Sequence, residues 1–118
     1  MNEINYSATL QASKAGATVS KTASGSLTMA GGAMLQQTQD IPTTGVQIGF
    51  GNISGAPAKL LIANLDPTNY ITIYGDSGYT QAQDKVLAQD FVLRSPSGNL
   101  WAKANTATAK LLVLAVEA

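Results

Sequence analysis

The chain has 118 residues, enough for one domain and too few for a second core. Seven Lys or Arg balance seven Asp or Glu, and there is no His and no Cys. This leaves no charge field for nucleic acid or an anionic bilayer, and it excludes disulfides, thiol nucleophiles and imidazole acid-base chemistry.

Period-two alternation runs through the chain and helical periodicity is absent. Ile4, Tyr6, Ala8 and Leu10 alternate with Asn5, Ser7 and Thr9, the pattern of a half-buried strand. From Gln11 to Ala33 the residues are mostly Ala, Gly, Ser, Thr and Lys. Two weak strands are expected there, at 17–22 and 26–30, with a turn at Ser24-Gly25. The alternative for this stretch is an extended arm laid on a neighbouring subunit, since it offers little to bury by itself. Met34 to Gln39 reads as a short strand ended by Asp40-Ile41-Pro42, and Val46, Ile48 and Phe50 mark another.

Lys59 to Leu65 is apolar on both sides, as in a strand inside a sheet. Asp66-Pro67-Thr68-Asn69 supplies turn chemistry, and Tyr70 to Tyr74 follows as a strand, expected to form a hairpin with the one before. Gly75 to Lys85 reads as a polar connection, and Val86 to Arg94 as one strand. Ser95-Pro96-Ser97-Gly98 turns into a short strand around Trp101, and Lys110 to Val116 closes the chain as its most apolar segment. That last strand is expected at the centre of the core. About eight short strands with Gly, Pro or Asn between them predict an all-β fold, an antiparallel β-sandwich or jelly-roll-like barrel, as a single domain over 1–118 with 1–33 as an arm or edge region.

Candidate chemistry is sparse. Asp76, Asp84 and Asp90 lie close in sequence but lack the alternating oxygen ligands and terminal Glu of a calcium loop, so turn capping is the simpler use. No Gly-x-Ser-x-Gly elbow occurs, and no His could accept its proton. Gly49, Gly51 and Gly55 do not form a dinucleotide fingerprint and fit turns or bulges. Asn5-Tyr6-Ser7 and Asn52-Ile53-Ser54 match the glycosylation pattern, which matters only on a secretory route. Trp101 with Tyr70, Tyr74 and Tyr79 suits core packing or subunit contact, or a stacking platform for sugars or single strands; the missing basic track argues against nucleic acid. No catalytic, cofactor-binding or metal-binding residue is expected, and no small-molecule substrate.

Charged residues form 12% of the chain, against about 25% in an average soluble domain, while Ser, Thr, Asn and Gln number 36. Such a surface packs closely against protein neighbours without like-charge clashes, or simply clothes a neutral β-rich domain. No apolar run is long enough to cross a bilayer as a helix. Met1-Asn2-Glu3 has neither the basic start nor the apolar stretch of a secretory signal, so synthesis in the cytoplasm is expected.

From Ala58 onward, the order Leu60-Leu61-Ile62-Ala63-Asn64-Leu65-Asp66-Pro67-Thr68-Asn69-Tyr70-Ile71-Thr72-Ile73, Phe91-Val92-Leu93-Arg94 and Leu100-Trp101-Ala102-Lys103-Ala104-Asn105-Thr106 resembles small β-sandwich virion structural proteins of tailed bacteriophages. The likeness covers about half the chain. It departs from the family at Ala88-Gln89-Asp90, where members often carry Gly-Glu. The resemblance implies a capsid decoration or cement protein without enzymatic activity or cofactor, with the major capsid protein or other virion proteins as partners, a homo-oligomeric state and a place in the virion. A tail, baseplate or fibre-associated module is the alternative, and a carbohydrate-binding module a further one. The surfaces expected to make contacts are Gln11 to Ala33 and Gly75 to Asp84.

Overall fold

The computed structural model describes residues 3–28, 32–53 and 55–117; side-chain detail for Glu3 is not included. The described residues form ten strands and no helix: β1 (Glu3–Lys14), β2 (Ala17–Thr28), β3 (Met34–Ile41), β4 (Val46–Gln47), β5 (Lys59–Asn64), β6 (Ile71–Tyr74), β7 (Ala82–Val86), β8 (Phe91–Arg94), β9 (Trp101–Ala104) and β10 (Ala109–Val116). Eight of them build two four-stranded antiparallel sheets, ordered β3-β10-β5-β8 and β4-β9-β6-β7. If the chain from β3 to β10 is folded in half between β6 and β7, every strand meets its mirror image. β6 pairs with β7, β5 with β8, β4 with β9 and β3 with β10. One long hairpin wound into two layers in this way is a jelly roll.

Alternation fixes which side of each strand enters the core. In β5, Leu60, Ile62 and Asn64 are buried; in β10, so are Ala109, Leu111, Val113 and Ala115. They meet Ile71 and Ile73 of β6, Val86 of β7 and Ala102 and Ala104 of β9 in a single cluster that also holds Ile41, Ile48 and Leu100. β10 lies between β3 and β5, so the most apolar segment of the sequence is central, as its composition predicts.

The two open sides of the sandwich are closed by polar side chains. On one, Gln37 and Gln39 point inward from β3. Gln39 donates to the Gln47 carbonyl (2.8 Å) and accepts from the Gly49 amide (3.0 Å), and Gln37 donates to the Gly49 carbonyl (3.3 Å). These amides replace the ladder partner that the irregular stretch after β4 lacks, which satisfies backbone groups that would otherwise be orphaned. On the other side Arg94 of β8 pairs with Asp84 and Gln83 of β7 across the layers. Inward-pointing charges on two edge strands also discourage further strand addition.

Several sequence expectations need correction. β5 and β6 do not form a hairpin: they belong to different sheets, and residues 65–70 arch from one layer to the other. The segment Val86 to Arg94 is not one strand. It breaks at a turn where the Asp90 amide donates to the Leu87 carbonyl (3.0 Å) and Gln89 takes a positive φ of 60°, carrying the chain between layers. The polar connection before it contains β7. The strand expected through Phe50 stops at Gln47. In the amino-terminal region there is no turn at Ser24-Gly25: β2 runs straight through it. The turn lies at Ala15-Gly16, both at positive φ (51° and 84°), the backbone signature of a two-residue type I′ hairpin loop. The part of the second expected strand at residues 29 and 30 lies outside the described residues.

Candidate interaction surfaces

β1 and β2 pair over their whole length, from Glu3 opposite Thr28 to Lys14 opposite Ala17. They form a sheet of their own. Twelve residues per strand at about 3.4 Å each make a ribbon about 40 Å long. It extends the molecule to a radius of gyration of 15.4 Å, against about 13.5 Å for a compact chain of this length.

The register gives the ribbon two unlike faces. One carries Asn5, Ser7, Thr9, Gln11 and Ser13 beside Thr18, Ser20, Thr22, Ser24 and Ser26, with Thr9 and Thr22 hydroxyls bonded across the strands at 2.8 Å. The other carries Ile4, Tyr6, Ala8, Leu10 and Ala12 beside Leu27, Gly25, Ala23, Lys21 and Val19. Only the root of this apolar face is covered. Ile4 is buried, whereas Leu10 is 79% and Val19 71% exposed.

The root sits on the outer face of the β3-β10-β5-β8 sheet. Tyr6 lies flat across Gly25, where a Cβ would come within 2.6 Å of the ring carbon that bears the hydroxyl, and the Lys59 ammonium stands 4.1 Å from the centre of that ring. Gly25 is therefore required for space in mid-strand, the role in which an aromatic ring covers a strand glycine. Lys59 also donates to the Ser95 hydroxyl (2.8 Å), which holds in place the ammonium that meets the ribbon's Tyr6.

That outer sheet face is itself apolar. Opposite the core-facing set, β5 turns Leu61 and Ala63 outward, β10 turns Leu112 and Leu114, and β8 turns Phe91 and Leu93, aligned by the register in adjacent rows. Met34 is 69% and Phe91 51% exposed. Where ribbon and sheet meet, a hollow of about 380 Å³ opens among Ile4, Tyr6, Met34, Leu61, Phe91 and Leu114.

The opposite sheet presents aromatics. Tyr74 pairs directly with Trp101 on the outer face, and Thr72 pairs with Lys85 on one side and Lys103 on the other. Tyr79 meets Tyr74 edge-on, with ring centres 5.4 Å apart. Ammonium groups cover two of these rings: Lys103 stands 4.5 Å from the Tyr79 centre and Lys85 4.1 Å from that of Tyr70. The four aromatics considered from sequence thus share one outward side and do not enter the core.

The three carboxylates singled out in the sequence, Asp76, Asp84 and Asp90, do not converge. Asp76 accepts from the Thr80 hydroxyl (2.6 Å) and the amides of Thr80 and Gln81, and these bonds hold its pKa below 3.8, with the Thr80 hydroxyl contributing most and the Gln81 amide next. It organises the 75–81 loop, so the second expected contact surface, Gly75 to Asp84, is a bonded turn followed by the start of edge strand β7. Asp84 is taken by Arg94, and Asp90 accepts from the Phe91 amide. Among the described residues no three His, Cys, Asp or Glu side chains gather as a metal site.

The residues behind the family resemblance make a joint. Asn64, buried at 1% exposure, donates to the carbonyls of Asn69 (2.8 Å), Val86 (3.1 Å) and Leu87 (3.2 Å) and accepts from the Asp66 amide (3.0 Å). Asp66 in turn accepts from the amides of Asn69 (2.6 Å) and Thr68 (2.8 Å), which depress its pKa below 3.8, Asn69 first. Asn105 and Thr106 close the joint: Asn105 accepts from the Tyr70 amide (3.1 Å), and the Thr106 hydroxyl donates to Asn69. The two distant motifs are two halves of one interlayer corner.

Comparison of the chain with protein-family models, with curated proteins and with solved structures finds no match.

Proposed function

We propose that this protein is a structural component of a tailed-phage virion, which decorates or cements the capsid by protein-protein contact, carries out no reaction and uses no cofactor. The observation that carries this reading is the ribbon. A two-stranded hairpin is marginal in water by itself, and this one holds out an apolar face that the rest of the chain leaves open. Such a surface has a use when a protein neighbour covers it.

The likeness of residues 58–118 to small virion proteins supports the same reading. Jelly rolls occur in viral capsid domains but also in lectins and cupins, so the fold alone does not choose among them. The low charge suits many identical copies packed side by side, where like charges would repel.

The test is location. Antibody or gold label against this protein, viewed on intact particles by negative stain, is expected on the capsid. Label confined to the tail selects a baseplate or fibre-associated role, and particles free of the protein overturn the proposal.

A carbohydrate-binding module is the second reading, favoured by Trp101 and Tyr74 standing side by side on an outward face. Against it, a sugar stacks on a free ring face, and lysines occupy those of Tyr70 and Tyr79. Glycan-array binding that disappears in Trp101→Ala with the fold intact would support it.

A further inference from the structure

The ribbon and the outer face of the β3-β10-β5-β8 sheet are two apolar surfaces on one chain, and each is only partly covered. We infer that the open apolar face of the ribbon in one copy seats on the outer sheet face of a second copy, with Leu10 directed into the hollow beside Phe91. This deepens the structural role proposed above by naming a sister molecule as the partner of the arm, and it rests on that role only for its biological purpose.

Three observations favour a second copy. The first is continuity: the root of the same ribbon face, through Ile4 and Tyr6, already packs against this sheet within the chain. The more distal residues Leu10, Val19 and Ala23 continue the same alternation, so the contact that holds the root fits the rest of the arm as well.

The second is charge. The distal ribbon carries Lys14 and Lys21 and no acid. The lysines of the outer sheet face are already engaged, Lys110 with Asp40 (3.8 Å) and Lys59 with Tyr6 and Ser95, so a ribbon laid there sets its own lysines beside paired charges. Two ribbons packed face to face and in parallel would bring their lysines together instead, which costs free energy.

The third is area. The uncovered part, residues 8–14 and 17–23, is about 24 Å long and about 10 Å wide at usual strand spacings. One seated arm therefore buries about 500 Å² in total, too little for a stable complex. Two or three reciprocal seatings in a closed symmetric assembly bury about 1,000–1,500 Å², the size at which specific interfaces begin. The geometry thus favours a closed exchange of arms over a single arm-on-body contact.

The absence of native cysteine allows a clean test. Leu10→Cys and Phe91→Cys proteins are purified separately, mixed, allowed to exchange and oxidised. The mixture is expected to give a disulfide-linked pair containing one copy of each variant, at least tenfold above either variant alone. Sedimentation of the unmodified protein at tens of micromolar is expected to show a multi-chain mass, and Leu10→Asp with Val19→Asp a single-chain mass with unchanged circular dichroism. A single-chain mass for the unmodified protein overturns the inference. So does efficient cross-linking of Leu10→Cys alone, which would place arm on arm.

Particle binding separates the two proposals. An arm-exchanged oligomer that never attaches to virions would refute the virion role and leave the exchange standing. A monomer that attaches through its arm would do the reverse.

Discussion

Asn64→Ala should be as damaging as truncation of a fully buried Leu or Ile of the core. The side chain is 1% exposed and makes four hydrogen bonds. Truncation leaves the buried Val86 carbonyl without this donor, at about 1–3 kcal/mol. The amide has two hydrogens for three carbonyls, so two of them share one; loss of the second donated bond and of the bond accepted from Asp66, both part-buried, adds about 0.5–1 kcal/mol each. The total is about 2–5 kcal/mol, a large share of the 5–15 kcal/mol that holds a domain of this kind. At about 4 °C per kcal/mol for this chain length, the midpoint of thermal unfolding should fall by about 8–20 °C. Asn64→Asp should not rescue it, because a carboxylate cannot donate to three carbonyls. Differential scanning calorimetry measures the shift. A fall of less than about 4 °C in Asn64→Ala would mean that water or backbone relaxation replaces the amide, and would refute the interlayer corner as the element that fixes the arch.

Gly45→Ala combines a positive φ of 97° with a Cβ that would overlap the Tyr79 ring; it should cost about 2–3 kcal/mol, and adding Tyr79→Ala should recover the steric part only, as measured by urea unfolding. Ala15→Asn should stabilise the ribbon tip by about 0.5–1 kcal/mol, since Ala15 sits at a φ of 51° in a two-residue turn that prefers Asn-Gly; slower amide exchange along β1 and β2 checks it. Asp66 and Asp76 have folded pKa values below the unfolded value of 3.8, so their stabilisation is present above that pH and is lost as pH falls through the lower folded values. Asp66→Asn and Asp76→Asn should therefore flatten the acid limb of a stability-pH profile, and an unchanged limb would show that these turns do not contribute.

The all-β architecture was legible because strands alternate or run apolar between turn residues: Ile71 and Ile73 occupy the positions that period two assigns to one side, whereas β5 and β10, apolar on both sides in sequence, show only in the structure that Leu60, Ile62, Leu111 and Val113 are the core-facing set. Strand pairing was not legible, because local turn chemistry does not say whether a turn joins neighbours within a sheet or arches between sheets. Asp66-Pro67-Thr68-Asn69 has every mark of a hairpin turn, and the deciding residue is Asn64, whose amide reaches carbonyls 22 and 23 positions away. Gln37 and Gln39 escaped notice for a related reason. They are polar residues at inward positions, and only the missing ladder partner of residues 47–49 explains them. At the arm, Ser24-Gly25 looks like a turn and is mid-strand because the Tyr6 ring needs the glycine, while the true turn uses an Ala in a conformation that Ala rarely adopts.

These same features bear on how the arm could act. Both sides of the body carry inward polar side chains at their edge strands: glutamine amides between β3 and the stretch after β4, and the Arg94–Asp84 pair between β8 and β7. Strand addition to the sandwich is thereby discouraged, which leaves faces, not edges, as the means of association. The ribbon turns a hydroxyl-rich side one way and an apolar side the other, and among the described residues it meets the body at its root, around Ile4 and Tyr6. In the virion role proposed above, this discouragement of edge pairing at the body would matter, because an open sandwich edge repeated over a shell would nucleate aggregation. The same reasoning marks the two outer edges of the ribbon, β1 and β2, as the strand edges left without such inward charges.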